Sequence, residues 1–584
     1  MPRIAVVNKE KCNPQGCGGY LCIRLCPVNR EGRDCIVIDT DKKVKIDETL
    51  CTGCGICPNR CPFGAIDIIN LPEELDKPVH RYGRNGFHLY KLPTPLFGSV
   101  VGILGRNGIG KSTALKIVGG LLKPNLGKEE ETIWDDVIKS YKGTEAQQYF
   151  EKLKSGKIKV SYKPQQVDLI PKTTKGTVLE LLQKVDEQGK LQEILHTLEL
   201  ESIQHQDIAS ISGGELQRVA IAACVLRKAQ LYVFDEPSSF LDIRQRLRIS
   251  AFIKNLTRED IAIVVIEHDL LILDAMCDTI HLMYGKEGRY GVVSLPKATR
   301  TGINTFLDGF IRDENLRFRD HELKFTARQP IQKILKTPIL TEWTDMTKKF
   351  GQFQLHIQSG KLHKQTTYGI LGENGIGKTT FIKILAGLIP PDTGSLPSTI
   401  KVSYKPQYIQ TDSDALVATV LQEALQKYEI QLIRPLGIKE FLLKPLNTLS
   451  GGELQRVAIA HALSQPADLY LLDEPSAYLD VEERIVCAKA IKEVAAARET
   501  TVLVVDHDLM FMDYVSDNLI VFSGKSAIEG FSQGPYHMEE GMNVFLRELG
   551  ITMRRDPESQ RPRINKQDSR LDREQKSAGK LYYS

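Results

Sequence analysis

The stretch GRNGIGKS at residues 105–112 recurs as GENGIGKT at residues 372–379. Each copy follows a short apolar run and precedes a run with helical spacing, so each is predicted to lie where a strand turns through a glycine-rich loop into a helix. Such a loop binds phosphate oxygens through its backbone amides, its lysine neutralises the β and γ phosphates, and its hydroxyl binds Mg²⁺. The candidate phosphate-binding residues are Asn107, Gly108, Gly110, Lys111, Ser112 and Thr113 in the first copy, and Asn374, Gly375, Gly377, Lys378, Thr379 and Thr380 in the second.

Further motifs repeat downstream at nearly constant spacing. In both halves the serine of SGGELQRVAIA stands 23 residues before the aspartate of an Asp-Glu pair, and a histidine follows that aspartate after 33 or 34 residues. The aspartate can hold the Mg²⁺ shell, the glutamate can polarise an attacking water, and the histidine can contact the γ phosphate. A helix N-cap and a buried structural histidine are the alternative roles. The candidate catalytic residues are Glu236, His268, Gln165, Glu474, His507 and Gln407, and the candidate Mg²⁺ ligands are Ser112, Gln165, Asp235, Thr379, Gln407 and Asp473.

The SGGE segments combine a helix start with an open anion site. Each has the S-x-x-E pattern of a capping box before an amphipathic run, and its two glycines leave helix-start amides free for an incoming anion. If the two halves face head to tail, each helix start can meet the γ phosphate held by the other half. The candidate nucleotide contacts of this kind are Ser212, Gly213, Gly214 and Glu215, and Ser450, Gly451, Gly452 and Glu453.

Cysteine is concentrated at the N-terminus, where nine of the twelve cysteines lie between Cys12 and Cys61. The run CTGCGICPNRCP has the spacing in which three thiolates bind one iron–sulfur cluster and the fourth reaches a second cluster. Structural zinc is the alternative, although paired knuckles fit the spacing poorly, and disulfides are unexpected in a reducing compartment. Cys35 is assigned no role. The crossing predicts one cluster on Cys51, Cys54, Cys57 and Cys26, and another on Cys12, Cys17, Cys22 and Cys61.

Composition indicates a multidomain globular protein. The chain has 584 residues, 42% of them hydrophobic and 26% charged, with a net charge of +4. It holds no apolar run near the ~20 residues that span a bilayer, and its N-terminus lacks the apolar core of a secretory signal. We therefore expect a cytoplasmic location without membrane contact. Between Met553 and Lys580 nine basic residues face five acidic ones, which predicts a solvated tail or contact with a polyanion or a hinge.

These motifs resemble those of the ATP-binding-cassette ATPases, and the cysteine-rich N-terminus resembles that of the E-type subfamily, the RNase L inhibitors. The resemblance covers essentially the whole chain. It implies an α/β fold of two tandem P-loop nucleotide-binding domains, preceded by a small ferredoxin-like α+β domain with two [4Fe-4S] clusters, and ATP and Mg²⁺ as further cofactors. Two composite sites would each pair one phosphate loop with the opposite SGGE segment. Upstream aromatics fit adenine stacking, with core packing as the alternative: Tyr82, Phe87, Phe350 and Phe353.

The repeats divide the chain into five expected regions. They are an iron–sulfur domain at residues 1–74, a first nucleotide-binding domain at 75–292 with an insert at 128–157, a hinge at 293–335, a second nucleotide-binding domain at 336–534, and a C-terminal hinge segment and basic tail at 535–584. The insert carries apolar residues at helical spacing, and a Thr144–Gln147 capping box is expected to open its second helix. In the resembled family this insert contacts ribosomal RNA of the small subunit.

The resemblance implies an ATP-driven ribosome-recycling factor. Closure of the two cassettes would move the iron–sulfur domain, split the ribosome and leave the protein on the small subunit. The implied partners are the small ribosomal subunit with its rRNA, a release-factor-like protein and initiation factors. Two other classes stay open. An ATP-coupled electron-transfer protein would use the same cysteines for redox, and a transporter ATPase would need membrane subunits and leaves the clusters unexplained.

Overall fold

The computed structural model describes residues 3–70, 75, 77–83, 85–128, 132–325, 338–395, 400–407 and 412–583. The expected boundaries after residues 74 and 335, and residues 129–131 of the insert, lie outside these ranges. The described chain contains a small N-terminal unit, two large sheets flanked by helices, a linker between them and a C-terminal segment.

The N-terminal unit is built from two antiparallel strand pairs and three short helices. Strand β1 pairs with β4, and β2 pairs with β3. Helices α2 and α3 each lie next to a cysteine-proline step, and α2 begins at its proline, which suits the first turn of a helix. The elements are β1 (Arg3–Val7), α1 (Leu21–Leu25), α2 (Pro27–Arg30), β2 (Ile36–Ile38), β3 (Val44–Ile46), α3 (Ile56–Arg60) and β4 (Ile66–Asn70).

The first cassette surrounds a largely parallel sheet. Its strand order is β5-β6-β12-β11-β7-β10-β9-β8. The elements are β5 (His80–Arg81), β6 (His88–Tyr90), β7 (Val100–Gly105), α4 (Lys111–Val118), α5 (Trp134–Ser140), α6 (Glu145–Lys154), β8 (Val160–Lys163), α7 (Ile170–Thr173), α8 (Val178–Val185), α9 (Leu191–Thr197), α10 (Gly213–Leu226), β9 (Leu231–Asp235), α11 (Ile243–Asn255), β10 (Ala262–Ile266), α12 (Leu270–Met276), β11 (Thr279–Lys286) and β12 (Tyr290–Val293).

A linker follows, and the second cassette then repeats the architecture. The linker holds β13 (Lys297–Ala298), α13 (Thr299–Asp308), β14 (Phe310–Ile311) and β15 (Leu316–Arg317). The second cassette holds β16 (Ile339–Trp343), β17 (Met346–Phe350), β18 (Phe353–Ile357), β19 (Gly360–His363), β20 (Thr367–Leu371), α14 (Lys378–Leu385), β21 (Val402–Lys405), α15 (Val417–Val420), α16 (Gln422–Lys427), α17 (Gly451–Ser464), β22 (Leu469–Asp473), α18 (Val481–Ala497), β23 (Thr501–Val505), α19 (Leu509–Val515), β24 (Asn518–Lys525) and β25 (Glu529–His537).

The internal sequence repeat is therefore a fold repeat. The second sheet has the order β17-β18-β25-β24-β20-β23-β22-β21, which matches the first sheet strand for strand. The central strands are fully buried, as expected for parallel strands covered on both faces. Both phosphate loops leave the carboxyl ends of central strands, where the Asp-Glu pairs also end their strands.

The C-terminal segment packs against both cassettes. It holds α20 (Met538–Leu549), β26 (Met553–Arg555), β27 (Pro562–Ile564) and α21 (Arg570–Ala578). Helix α20 packs on β24 as α13 packs on β11, which agrees with the sequence echo between the two segments. Strands β12 and β25 end at Val293 and His537, slightly beyond the expected domain boundaries.

The first part of the basic tail, up to Arg563, packs within the protein, whereas the basic residues from Lys566 to Lys580 are exposed. Arg563 donates to the two carboxylate oxygens of Asp274 on α12 at 2.6 and 3.0 Å, and the fully buried Arg561 lies 3.3 Å from the same carboxylate. The buried Asp556 accepts from Arg300 and Asn304 of the first half. A solvated tail is therefore wrong for these residues, whose charges are neutralised by Asp274 of the first cassette and by Arg300 of the linker helix α13.

The insert forms the expected helix–loop–helix. Val137 and Phe150 are buried against the core beside α4, while the lysines of the insert are exposed. The expected capping box is wrong in its details, because the Thr144 hydroxyl donates to the carbonyl of Tyr141 at 2.7 Å. The Gln147 side chain accepts from the amide of Gly143 instead. Both side chains therefore form hydrogen bonds with the turn between the two helices and do not cap the second helix.

The hairpin between β11 and β12 holds the N-terminal unit on the first cassette. Arg289, only 5% exposed, contacts Asp67 at 2.6 Å and donates to the carbonyl of Gly64 at 3.0 Å. Lys286 adds a second contact to Asp67 at 2.7 Å. The same turn reaches the first phosphate loop, since the amide of Gly288 donates to the carbonyl of Gly108. The hairpin thus links the first phosphate loop to the N-terminal unit.

We expect Asp67→Asn to loosen the N-terminal unit, because it leaves the buried Arg289 guanidinium without its counter-charge. Hydrogen exchange should accelerate at residues 64–70 and 286–293, while the iron content stays unchanged. Lys286→Met is the matched control, since this lysine is 59% exposed and its ion pair is worth little. Equal acceleration in both variants, or none in Asp67→Asn, would contradict the assigned contact.

Candidate nucleotide sites and iron–sulfur centre

Each phosphate loop has the backbone geometry of an anion cradle. Gly108 and Gly110 have φ values of 70° and 87°, and Gly375 and Gly377 have 72° and 100°. These left-handed conformations favour glycine, and a side chain at Gly110 would collide with Phe87. Each loop ends at the N-terminus of a helix, α4 or α14, where amides lack intrahelical partners.

The loop lysines are folded over their own loops. Lys111 donates to the carbonyls of Gly105 and Arg106 at 2.9 and 2.6 Å, and Lys378 donates to the equivalent carbonyls of Gly372 and Glu373. Burial lowers the pKa of both ammonium groups, and nearby carboxylates oppose this shift. Each ammonium is therefore positioned within its loop, where a phosphate can replace the carbonyls as its partner.

The first-half catalytic candidates form one contact group. Gln165 donates to Glu236 at 2.7 Å, and His268 lies 3.5 Å from the same carboxylate oxygen. Burial acts to raise the pKa of Glu236, but the neighbouring His268 and the charge of Lys111 lower it to about 2. Glu236 is therefore ionised at neutral pH. Its negative charge can polarise a water molecule, but its low pKa makes it a weak proton acceptor.

The second half repeats this group with the same distances. Gln407 donates to Glu474 at 2.7 Å, and His507 lies 3.5 Å from Glu474. The pKa of Glu474 is also lowered to about 2, since His507 and Lys378 outweigh the effect of burial. The predicted catalytic residues of each half are thus brought together by the fold.

The aspartates before these glutamates fit a Mg²⁺ shell. Oδ1 of Asp235 and both carboxylate oxygens of Asp473 are buried without a hydrogen-bond partner, which is costly unless a cation binds them. Burial raises the pKa of Asp473 to about 6 and also raises that of Asp235. The hydroxyls of Ser112 and Thr379 act to lower the pKa values of Asp235 and Asp473, respectively. The oxygen-rich donor set suits Mg²⁺.

Both SGGE segments form the expected capping boxes. The amide of Ser212 donates to Glu215 at 2.8 Å, and that of Ser450 donates to Glu453 at 2.9 Å. The glutamate amides in turn donate to the serine hydroxyls. Gly213 and Gly451 are exposed at the starts of α10 and α17. The capping prediction is confirmed, and the helix starts stay accessible.

Contacts across the cassettes run through two aspartates that the sequence-based candidates omit. Asp480, at the start of α18, accepts from the amide of Asn107 at 3.0 Å, and Asp242, at the start of α11, accepts from the amide of Asn374 at 3.0 Å. Both aspartates also cap their own helices. In the sequence, these aspartates stand at equivalent positions, at the ends of FLD and YLD after the Asp-Glu pairs. This repetition does not indicate which residue of the other cassette each aspartate contacts.

Each phosphate loop also forms an ion pair with a helix of the other cassette, and the two ion pairs have opposite polarity. Arg106 of the first loop lies 3.8 Å from Glu482 on α18, whereas Glu373 of the second loop lies 2.8 Å from Arg244 on α11. In the first ion pair the loop residue is positive and the helix residue is negative, and in the second ion pair these signs are reversed. Like charges would meet if either half paired with a second copy of itself, which favours pairing between unlike halves.

The candidate adenine-stacking aromatics differ in exposure. Tyr82 is 48% exposed, and its hydroxyl lies 3.2 Å from that of Thr113. Phe350 is 45% exposed at the end of β17, under the ammonium of Lys348. Phe87 and Phe353 instead pack on the cassette cores. The counterpart of Phe87 beside Gly377 is Leu355, an arrangement typical of core packing.

The N-terminal cysteines lie close together, and the four assigned to one cluster share a cavity. Cys12, Cys17, Cys22 and Cys61 line one cavity with Phe63 and Pro62. Burial raises the pKa of Cys57 to about 12, and the charges of Cys51, Cys54, Cys22 and Cys26 act in the same direction. Cys35 is buried beside Cys26 and Cys51. Thiols with raised pKa values release protons when iron binds them.

The donor set of the N-terminal unit consists of cysteine thiols. Within the described ranges, no group of three or more cysteine, histidine, aspartate or glutamate side chains is arranged to hold one metal ion. Thiolates that each bind a different iron need not converge on one point. A set of thiolates at this spacing is suited to an iron–sulfur cluster.

Family models match three parts of the chain. The ABC transporter model matches residues 97–239 and 355–477, a possible Fer4-like domain in RNase L inhibitor matches residues 2–34, and a 4Fe-4S binding domain matches residues 44–67. Together with the repeated sheets, these matches define an ABC-type ATPase with an N-terminal iron–sulfur domain. Its cofactors are ATP, Mg²⁺ and two [4Fe-4S] clusters.

Full-length relatives narrow the assignment. The chain is 50% identical over 591 residues to an uncharacterized ABC transporter ATP-binding protein of Methanocaldococcus jannaschii, covering 100% of this chain and 97% of the relative. It is 43% identical to translation initiation factor RLI1 of Saccharomyces cerevisiae, covering 100% and 98%. The chain therefore belongs to the RLI1/ABCE1 family of ABC ATPases.

Solved structures agree with this assignment. A model of ribosome-bound archaeal Pelota and ABCE1 matches with a TM-score of 0.93 and 51% identity, covering 100% of this chain and 99% of that one. The crystal structure of archaeal ribosomal stalk protein aP1 with archaeal ribosome recycling factor aABCE1 matches with a TM-score of 0.83 and 51% identity, covering 87% and 99%. None of the helices in the described ranges is long and apolar enough to cross a membrane.

The crossed cluster assignment can be tested by pairing serine substitutions. Cys17→Ser with Cys61→Ser should remove one cluster and leave about four irons per chain, because both cysteines then serve the same cluster. Cys26→Ser with Cys61→Ser should remove both clusters. Iron analysis and visible absorbance of anaerobically purified protein provide the measurement. Loss of both clusters from Cys17→Ser with Cys61→Ser would instead show that the fourth cysteine of each run stays with its own run. The Cys26→Ser with Cys61→Ser variant is the reference for complete loss in either arrangement.

Reversing one interface charge should weaken ATP-dependent closure. In Arg244→Glu a carboxylate faces Glu373, which should cost about 1 kcal/mol or less at this half-exposed position. Adding Glu373→Arg should restore closure, as measured by cross-linking between the cassettes with a non-hydrolysable ATP analogue. Arg248→Glu is the control, since Arg248 pairs with Glu199 inside the first cassette. Failure of the double variant to recover would exclude the charge pair as a determinant.

Proposed function

We propose that this chain is a cytoplasmic ATP-driven ribosome-recycling factor that splits ribosomes into subunits and stays on the small subunit. The observation that carries the proposal is the full-length match to ABCE1 in the ribosome-bound complex with Pelota, which includes the iron–sulfur domain, the insert and both cassettes. A second structural relative is an archaeal ribosome recycling factor in complex with a stalk protein. The proposed partners are the small subunit and its rRNA, a release-factor-like protein and initiation factors.

We propose further that ATP is hydrolysed at two composite sites. The first combines Lys111, Ser112 and the Glu236 group with the Ser450 helix start, and the second combines Lys378, Thr379 and the Glu474 group with the Ser212 helix start. The support is the pair of cross-cassette hydrogen bonds from Asn107 and Asn374. The electrostatic environment of Glu287, beside Gly108, also includes Arg456, Glu453 and Asp480 of the second cassette.

In this proposal the side chains divide the chemistry. Each loop lysine turns from its own carbonyls to the phosphates and neutralises their charge. Glu236 orients and polarises the attacking water, and His268 beside it contacts the γ phosphate. Mg²⁺, when bound by the serine, glutamine and aspartate candidates, would neutralise charge on the β and γ phosphates. The opposite SGGE helix start supplies free amides where negative charge develops.

The proposed domain boundaries follow the five expected regions, with strands β12 and β25 included in their cassettes. The segments after these strands, at 294–335 and 538–584, serve as hinges. The insert supplies exposed lysines for rRNA, namely Lys139, Lys142, Lys152, Lys154 and Lys157, of which Lys154 already pairs with Asp135 at 2.6 Å. The adenine stackers are proposed to be Tyr82 and Phe350, because they are exposed near their loops.

Movement of the first cassette would be passed to the iron–sulfur domain through the hairpin at Gly288 and Arg289. In this proposal the clusters stabilise a domain of about 70 residues that is too small for a large core. An ATP-coupled electron-transfer protein would instead require turnover to depend on the oxidation state of the clusters.

The decisive experiment measures subunit splitting and binding to isolated small subunits. We expect Glu236→Gln and Glu474→Gln to bind ATP, fall at least tenfold in hydrolysis, and cosediment with small subunits without an analogue. The wild type should need a non-hydrolysable ATP analogue for the same binding. Normal turnover in both variants would refute the assigned glutamates, and unaltered sedimentation of small subunits under all conditions would refute the ribosomal function.

A further inference from the structure

Two buried lysines outside the candidate nucleotide-binding residues lie at the same place in both halves. Lys163 ends β8 and Lys405 ends β21, each inside an SYKPQ segment, and their exposures are 0% and 1%. A lysine is almost never this buried without a specific partner. Their repetition in both halves indicates a shared role rather than a local packing accident.

The ammonium groups bind the backbone of the Asp-Glu pairs. Lys163 donates to the carbonyls of Asp235 and Glu236 at 2.9 and 3.0 Å. Lys405 donates to the carbonyls of Asp473 and Glu474 at 2.8 and 3.2 Å. Each lysine thus spans the two residues whose side chains are assigned to Mg²⁺ and to the attacking water.

A glutamine from the SGGE helix completes the clamp. Gln217 on α10 donates to the carbonyl of Glu236 at 2.7 Å, and Gln455 on α17 donates to that of Glu474 at 2.7 Å. Both glutamines are buried. Each glutamate carbonyl therefore accepts hydrogen bonds from two buried side chains. One is the lysine at the end of β8 or β21, and the other is the glutamine on α10 or α17.

The backbone held by this clamp is strained. Glu236 and Glu474 have φ values of 48° and 47°, in the left-handed region that side-chain-bearing residues avoid. The glutamate amides donate to the carbonyls of Ile266 and Val505 at 3.0 and 2.8 Å, so both ends of the residue are fixed. Such conformations persist only where surrounding contacts impose them, and they occur at functional sites.

We infer that Lys163 and Lys405 are positioning residues that fix the left-handed backbone of Glu236 and Glu474 and thereby aim their carboxylates at the attacking water. The inference rests on the proposed roles of these glutamates. The same segment that carries each lysine also carries Gln165 or Gln407, whose amide holds the glutamate carboxylate. The lysine fixes the backbone, and the glutamine two residues later contacts the side chain.

The test uses Lys163→Met and Lys405→Met in the full-length holoenzyme, with Lys159→Met and Lys401→Met as controls. Methionine keeps the length and the apolar stem but removes the donors. The control lysines are exposed and lie just before the same strands. We expect kcat for ATP to fall at least tenfold in the double variant with KM within twofold of wild type, while the controls keep wild-type values.

A structural lesion would be separated by two further measurements. In the Glu236→Gln and Glu474→Gln background, the lysine substitutions should cause no further loss of single-turnover rate, because the carboxylates they aim are already absent. Gln217→Leu and Gln455→Leu remove the second donor to the same carbonyls and should give the same loss of kcat, which provides a result even if the methionine variants fail to fold.

The outcomes separate this inference from the proposed function. Wild-type kcat in the lysine or glutamine variants, alongside inactive Glu→Gln variants, would overturn the inference and leave the glutamates in place. A fall of kcat that is additive with the Glu→Gln change would also overturn it. Normal turnover in the Glu→Gln variants would refute the glutamate roles themselves.

Discussion

The architecture depends on two aspartate side chains that each satisfy two partners. Asp242 and Asp480 cap their own helices with one oxygen and accept from the opposite phosphate loop with the other. A helix cap fixes the carboxylate in place without a large entropy cost, so the second oxygen is presented to the other cassette in a defined orientation. Each loop is therefore positioned partly by residues of the other half, so both phosphate loops lie at the interface between the cassettes.

The two cassettes carry the same motifs, but the hairpins beside their phosphate loops have different contacts. The hairpin after Met283 carries Lys286 and Arg289 and holds the iron–sulfur domain, whereas the matching hairpin of the second half presents Ser526 and Ala527 to its loop. Both hairpins touch a loop glycine through a backbone hydrogen bond. Each phosphate loop is thus tied to a hairpin, and the first hairpin also contacts the iron–sulfur domain.

The sequence predicts the features that local patterns determine. The strand–loop–helix units and the capping boxes at Ser212 and Ser450 follow from spacing, because their partners lie within a few residues and the patterns repeat in both halves. Pairings over long separations carry no such signal. Asp274 meets Arg563 across 289 residues, and Asn107 meets Asp480 across 373. Lys163 was detectable only as an identical residue in the two SYKPQ segments, without any indication of burial.

The charged residue two positions after each capping aspartate connects a phosphate loop to a segment outside the cassettes. Glu482 contacts Arg106 of the first loop and also Arg319 of the linker at 3.4 Å. Arg244 contacts Glu373 of the second loop and donates to the carbonyl of Glu548 at the end of α20. Because one side chain serves both partners, separation of the cassettes must break the loop contact or the segment contact. The first phosphate loop is therefore linked through Glu482 to the linker, and the second through Arg244 to the C-terminal segment, so the two loops with the same motif have different neighbours outside the cassettes.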